Sequence, residues 1–369
     1  IDGHVASMIA ANGRLVVTTI EGQMHCFAGG ETSAQTHDAR LVQELSTNQD
    51  WKDRVEGLLR DHQLDDAYCV VLGAGSGGLI DELLRQSKLR LVVIDRDAKR
   101  VESLRKRFDA NQLYGSRVVA HVGEPLDFAL PPYLASLVVS ESPEIAGLTA
   151  QPESVAKLFR ILRPYGGKAW FPADDLYHKE LAATVAAAEL PQAQLTQTSG
   201  VSLLTRPGAL PGSADWTHEY GDASNTLMSQ DALVKAPLGV LWFGGPAADG
   251  SLFYNRHFWG PSMAVIGGRM FLQGPGKMTA VDVYTGRILW QIPLDGQANY
   301  LPGRRGNDFE GALAGYHFLA VEDAIYLVHG KSCLKLDPKT GEQINEFKLR
   351  NPDDDWGRIR VVKEKLIAE

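Results

Sequence analysis

Two hydrophobic rhythms divide this chain. Between residues 51 and 210, continuous apolar runs alternate with stretches whose apolar positions recur every three or four residues. The runs "AYCVVLG", "LRLVVID", "SRVVAHV", "LASLVVS" and "GGKAWFPA" predict five strands. "GGLIDELLRQS", "AKRVESLRKRFDANQ" and "PESVAKLFRILRP" predict helices among them. Ahead of the first strand, Trp51, Val55, Leu58, Leu59 and Leu64 stand at helical spacing. After the fifth, the Ala-rich segment 179–190 adds a helix and "LTQTSGVSLLTRPG" a closing β-pair. Strands apolar on both faces, joined by amphipathic helices, specify a mostly parallel sheet covered on both sides.

Outside this block the helical period nearly vanishes. In residues 1–29 an Asn-Gly turn leads into the β-branched run Leu15 to Ile20, and "EGQ" turns into "MHCFA", which predicts a hairpin. Residues 30–50 are polar and read as a linker with a leading helix. From Asp215 onward Gly, Trp and short strands dominate, and two stretches repeat: "MTAVDVYTGRILWQIPL" (278–294) and "CLKLDPKTGEQINEFKL" (333–349). Asp282, Thr285 and Gly286 align with Asp337, Thr340 and Gly341, 55 positions apart. Aspartate suits such a tight turn because it accepts backbone N–H bonds, and glycine because it tolerates positive φ. Each repeat reads as strand, turn, strand behind a further strand, the signature of blades that cannot bury their faces alone. The resulting division is 1–29, 30–50, 51–210 and 211–369.

Composition narrows the partners. A length of 369 residues favours two domains, and a formal net charge of −8 argues against a broad surface for nucleic acid or anionic membrane. Cys26, Cys69 and Cys333 form no CxxC pair, so neither a zinc site nor a disulfide framework is expected. His25, His218, His257 and His329 fall in no H-x-x-H or H-E-x-x-H pattern, and "NPDDDWG" (351–357) lacks calcium-loop spacing and reads as a solvated acidic loop. No metal is expected. No apolar run reaches the roughly 18 residues of a membrane span. The opening "IDGHVASM" has neither an initiator Met nor a leader, and "GRIRVVKEKLIAE" reads as a strand in mid-pattern, so the sequence is expected to belong to a longer chain.

The chemistry concentrates at "VVLGAGSGGLIDELL" (70–84). A glycine-rich turn from strand to helix lets backbone approach a ligand and aims helix N–H groups at it. Taken alone, "GAGSGG" satisfies G-x-G-x-x-G and fits a nicotinamide cofactor equally well. Asp95 ends an apolar strand and is expected at the carboxyl edge of the sheet, at the right distance along the chain to accept ribose hydroxyls.

The block resembles class I S-adenosylmethionine-dependent methyltransferase domains, closest to the spermidine-synthase-like branch. The residues carrying this are "LGAGSGG", "VVIDRD", "HVGEP", "LVVSES" and "ILRPYGGKAWF". The resemblance implies a Rossmann-like sheet of seven strands, mostly parallel. It implies cofactor contacts from Gly73, Ala74, Gly75, Ser76 and Gly77, from Asp95 and Arg96, and from Glu124, with the acceptor near Ser140 and Glu141 as the catalytic positions. One departure stands out: Val71 occupies the position, two before the first glycine, where an acid is often found.

The flanking repeats resemble pyrroloquinoline-quinone-like β-propellers. "AVDVYTGRILW" matches their docking motif at Ala280, Asp282, Gly286 and Trp290, and "ADWTHEYGDASNT" their Trp-Tyr-Gly-Asp-Asn-Thr segment. The second repeat departs, with Asn345 in place of the docking Trp and Leu336 before the Asp. The implied architecture, α/β and all-β, is a methyltransferase-like domain inserted between blades of a partial propeller. The residues left over suffice for about four blades at ~45 each. The function expected is methyl transfer with S-adenosylmethionine to a small-molecule or protein acceptor, the propeller serving as a platform for substrate or partner. The alternatives are a binding scaffold with a degenerate transferase domain and a quinone- or NAD-dependent oxidoreductase. Quinone is not expected as cofactor, because Trp290 and Ala280 suit blade docking. Such propellers act mostly outside the cytoplasm whereas S-adenosylmethionine is made inside it, which leaves the compartment open.

Overall fold

The computed structural model describes residues 1, 3–30, 33, 35–37, 45, 47–149, 151–244, 252, 262–274, 276–294 and 318–368. Much of the linker read over 30–50, and His257, lie outside the described residues. The chain forms two compact units, Ile1–Gln43 and Glu44–Glu369.

The first unit is a three-stranded antiparallel sheet, β1 (Val5–Ala11), β2 (Arg14–Thr19) and β3 (Met24–Ala28). The expected hairpin is β2–β3. The strand β1 precedes it because Asn12 and Gly13 both take positive φ, 51° and 70°, the two-residue turn whose twist matches paired strands. Its apolar side chains Met8, Ile9, Met24 and Phe27 are exposed, and Val17 is buried.

In the second unit, α1 (Gln49–His62) leads into β4 (Tyr68–Leu72), α2 (Gly78–Gln86), β5 (Arg90–Asp95), α3 (Ala98–Ala110), β6 (Val118–Val122) and β7 (Leu137–Val139). Then follow α4 (Pro143–Ala146), α5 (Pro152–Ile161), β8 (Gly167–Pro172), α6 (Asp175–Ala187), β9 (Gln194–Thr198) and β10 (Val201–Arg206). The sheet runs β6-β5-β4-β7-β8-β10-β9, with β4 to β8 parallel and β10 antiparallel to both neighbours. The sheet has seven strands and is mostly parallel, as the resemblance implied.

Strand alternation explains the two cores. Cys69 and Val71 of β4 face α1, α2 and α3, where Trp51, Val55, Leu79, Leu83, Val101 and Phe108 close the layer. Val70 and Leu72 face the other way, onto Val155, Leu158 and Phe159 of α5 and Leu181 of α6. Two elements differ from the periodic reading. Asp174 caps α6 by accepting from the Tyr177 N–H, so this helix starts earlier than its Ala-rich stretch. The short α4 has no apolar period to announce it and is started by Ser142 as cap and Pro143 in the first turn.

Downstream lie β11 (Ser262–Ile266), β12 (Arg269–Gln273), β13 (Lys277–Asp282) and β14 (Ile288–Pro293), paired in order as one antiparallel sheet. A second sheet pairs β15 (Phe318–Val321), β16 (Ala324–His329), β17 (Ser332–Leu336) and β18 (Gln343–Lys348). The repeats are β13–β14 and β17–β18. Asp282 Oδ1 accepts the N–H groups of Tyr284 and Thr285 at 2.9 and 3.1 Å, and Asp337 Oδ1 those of Lys339 and Thr340 at 2.6 and 3.1 Å. Gly286 and Gly341 follow at φ 71° and 76°.

The two sheets share a core of Phe271, Met278, Ala280, Phe318, Ile325 and Leu327. Trp290 lies against Gly341 and donates its indole N–H to the Pro338 carbonyl at 3.2 Å. Trp242 repeats the contact one step earlier, lying against Gly286 and donating to the Val283 carbonyl at 2.9 Å. The "ADWTHEYGDASNT" segment ties these sheets together: Trp216 exchanges backbone bonds with Val265 of β11, and the Thr217 carbonyl accepts from Ala320 of β15. The last residues are a hairpin, β19 (Ile359–Val362) and β20 (Lys365–Ala368), rather than one strand. Lys363 and Glu364 turn it at φ 48° and 64° without any glycine to mark the turn in the sequence.

Candidate functional site

Parallel strands bring their carboxyl ends to one edge, and the sequence-predicted residues meet there. Gly73 to Gly77 follow β4, Asp95 ends β5, Glu124 follows β6, and Ser140 and Glu141 follow β7. Gly73, Gly75 and Gly77 take φ 77°, 55° and 85°, which side-chain-bearing residues rarely adopt. The turn also needs them for space. A Cβ on Gly73 would overlap Ile145 of α4, and one on Gly75 would overlap the Glu141 carboxylate.

Glu141, expected at this edge, is bound back onto the turn itself. Its Oε2 accepts the Ser76 N–H at 2.7 Å, and its Oε1 accepts the Ser76 hydroxyl at 2.8 Å and the Leu79 N–H at 3.4 Å. These donors open α2, where unpaired N–H groups and the helix dipole favour an anion. The chain's own carboxylate thus occupies an anion-binding helix terminus. It is neither a free loop acid nor aimed at an open cavity.

Asp95 is buried and saturated. Its Oδ2 accepts the Ala74 N–H at 2.7 Å and meets Arg100 Nη1 at 3.2 Å, while Oδ1 accepts the Asp97 N–H at 2.8 Å. Arg100 was not singled out from the sequence. It stands five residues after Asp95, and the start of α3 at the Asp97 cap brings it back over the strand end. Arg96 and Glu124 pair with each other at 3.2 Å, both exposed, across the ends of β5 and β6. Ser140 is fully buried and donates its hydroxyl to the Leu72 carbonyl at 2.6 Å, joining the ends of β7 and β4. Val71 lies within the α1–α3 core.

On the first two turns of α2, Asp81 meets Arg107 at 2.9 Å. Burial pushes its carboxyl up to about 6, with Arg107 opposing and Glu82 and Glu141 adding to the shift. Cys69 and Cys333 offer no thiolate: burial raises both, Cys333 to about 12. The acidic loop at 351–357 holds a lysine, with Lys331 Nζ bonded to the carbonyls of Asp353 and Asp354 and to Asp355 Oδ1 at 2.7 Å. Among the described residues no group of three or more His, Cys, Asp or Glu side chains is placed to hold a metal ion. Among them no helix is long and apolar enough to cross a membrane.

The opposite, amino edge carries the junction with the downstream sheets. Arg163, from "LRPYGG", ion-pairs with Asp282 and donates to the Gly268 carbonyl at 3.2 Å, its guanidinium over the Tyr284 ring. Tyr133 meets Tyr284 edge-on at 5.6 Å, and Arg287 pairs with Asp66 at 3.2 Å. The aspartate that shapes the repeat turn therefore also anchors the α/β domain.

No family model and no curated protein matches the chain. Solved structures do resemble it. A candidate S-adenosyl-L-methionine-dependent methyltransferase of Methanococcus maripaludis shares 13% identity at a TM-score of 0.39, covering 43% of this chain and 85% of its own. A SAM-dependent methyltransferase of Aquifex aeolicus shares 14% at a TM-score of 0.32, covering 41% and 87%. A methyltransferase of Geobacter sulfurreducens shares 18% at a TM-score of 0.33, covering 44% and 80%.

Proposed function

We propose that the seven-stranded domain binds S-adenosylmethionine and transfers its methyl group to a small-molecule or protein acceptor. The observation that carries this reading is the α2 terminus. Its N–H groups already hold an organic carboxylate, that of Glu141, beside a glycine turn and a strand-end aspartate joined to that turn through the Ala74 N–H. The donor set suits the cofactor's amino-acid carboxylate, and Glu141 is its stand-in. Asp95 suits the ribose hydroxyls, and the Arg96–Glu124 pair lies where the adenine is expected.

The cofactor supplies an activated methyl group, so the protein's task is positioning rather than proton transfer. Ser140 serves by fixing the end of β7 to β4. Glu141 must leave the α2 terminus, and Arg100 must release one oxygen of Asp95, before a ligand takes their places. The same two contacts favour a second reading, a binding scaffold whose transferase domain has closed on itself.

We further propose that the repeated tryptophan-on-glycine contacts belong to blades of a pyrroloquinoline-quinone-like propeller, with the α/β domain (51–210) inserted between blades at 1–29 and 211–369. The propeller would serve as the platform for the acceptor or a protein partner.

Calorimetric titration of the full chain with S-adenosylmethionine, beside Asp95→Ala and Glu141→Gln, tests the reading. We expect binding by the parent and about tenfold weaker binding by Asp95→Ala, since a hydrogen bond to a charged group contributes about 1.5–3 kcal/mol. Failure of both the parent and Glu141→Gln to bind would refute it and favour the scaffold. NADH, titrated in parallel, covers the nicotinamide alternative.

A further inference from the structure

At the amino edge, β10 ends in Arg206, opposite Gly167 at the start of β8. The side chain is half-buried, with part of its guanidinium shut off from water. Its guanidinium lies 3.9 Å from the Phe159 ring centre and 5.3 Å from that of Tyr133. Nε and Nη1 are both buried and neither meets an acceptor. Burial disfavours the charge, while Tyr133, through its hydroxyl, and Tyr284 favour it. Arginine nonetheless stays protonated in proteins. The result is a half-buried cation set against two ring faces, with no carboxylate beside it among the described residues.

This cation lines a cavity of about 250 Å³, whose other walls include Tyr133, Phe159, Leu210, Pro211 and Leu233. The volume falls just below the ~300–1,000 Å³ usual for ligand sites, so the occupant is small. The walls are largely apolar, and the two rings give them flat faces. The polar lining side chain Gln192 is committed elsewhere: with its amide assigned so that both carbonyls are satisfied, it donates to Ala209 and Pro207 at 3.1 Å each. The glycine-turn site does not use this cavity, and Tyr133 is the wall it shares with the junction. Arg163, its neighbour on the same edge, has Asp282 as counter-charge, and Arg206 has no equivalent.

We propose that this cavity is a binding site for a small carboxylate with a flat, apolar body, the carboxylate compensating Arg206 and the body packing between Tyr133, Phe159 and Leu233. The site is separate from the cofactor reading and stands whether or not S-adenosylmethionine binds. A bulky polar anion such as phosphate meets the charge but leaves the apolar walls unfilled, and a neutral isostere fills the walls but leaves the charge.

The full chain is titrated calorimetrically with benzoate, benzamide and inorganic phosphate. In parallel, the arginine Nε–H resonances of ¹⁵N-labelled protein are followed. Benzoate is expected to bind at least tenfold more tightly than benzamide or phosphate and to shift the Arg206 Nε–H signal. Arg206→Met should lose this preference and bind benzoate and benzamide alike. Leu233→Trp, which fills the cavity without altering the charge, should weaken benzoate by a similar factor, and this keeps the test sound if Arg206→Met does not fold. Equal binding of benzoate and benzamide by the parent would overturn the proposal, as would phosphate binding more tightly than benzoate. An Arg206 signal unmoved by saturating benzoate would overturn it too.

Discussion

The two edges of one parallel sheet treat their charges in opposite ways. At the carboxyl edge the charged groups expected to meet a ligand are already answered: Glu141 by the α2 terminus, Asp95 by Arg100 and two backbone N–H groups, Arg96 by Glu124. At the amino edge Arg163 is answered by Asp282, but Arg206 has ring faces and the Tyr133 hydroxyl and, among the described residues, no carboxylate. Burying an ion costs several kcal/mol, and a desolvated cation–π contact returns about 2. A ligand at the carboxyl edge must therefore displace an internal partner, whereas one at the amino edge supplies a missing one.

The sharpest way to break this contrast is to remove Arg163 and Arg206 in turn. Arg163→Met strands Asp282, which is buried, and should cost about 3–5 kcal/mol in urea unfolding, the range for one lost partner of a buried pair. Arg206→Met removes a cation without stranding an anion and should be neutral or mildly stabilising in the ligand-free protein. Equal losses from the two substitutions would mean that Arg206 is satisfied after all, and the contrast would fall.

A smaller effect separates the edges by pH. At the carboxyl edge Asp81, under the glycine turn, titrates near 6. In the unfolded chain its carboxyl returns to about 3.9. Between these values the folded state holds the proton more tightly, so this group's contribution to stability falls as pH rises from about 4 to about 6 and is constant above. At about 1.4 kcal/mol per pKa unit the fall is at most about 3 kcal/mol, the opposing pull of Arg107 being contained in that shift. Asp81→Asn should flatten that part of the profile, read as the parent-minus-variant difference in unfolding midpoint. A difference that rises with pH over the window would invert the assignment.

How far these features could be read in advance depends on how local their causes are. The sheet, its helices and the glycine turn follow from apolar periodicity and turn chemistry within a few residues, and so were legible. The Asp282 and Asp337 turns were legible for the same reason. Arg100, Arg206 and the grip of Glu141 were not, because each depends on a partner that only the folded sheet supplies. Glu141 reaches Ser76 across 65 positions, and Arg206 meets Phe159 across two strands and a helix. Local signals did exist for α4, in its Ser-Pro-Glu start, and for Trp242, in "VLWFGG", whose spacing to Gly286 differs from that of Trp290 to Gly341.

The finest test concerns Glu141 itself, because its carboxylate supports two opposed readings. As a stand-in, it competes with any ligand for the α2 terminus. Glu141→Gln keeps an acceptor for the Ser76 N–H but removes the charge that the helix dipole favours, about 0.3–1 kcal/mol. The folded state should lose that amount, and S-adenosylmethionine should bind up to about fivefold more tightly, since the same stabilisation no longer has to be displaced. If Glu141 instead touches bound cofactor or acceptor, the substitution weakens binding while stability falls just as far. Unfolding alone cannot tell these apart, because both readings predict the same small loss. The sign of the change in affinity does, and it also decides whether the carboxyl edge is closed by competition or completed by its own carboxylate.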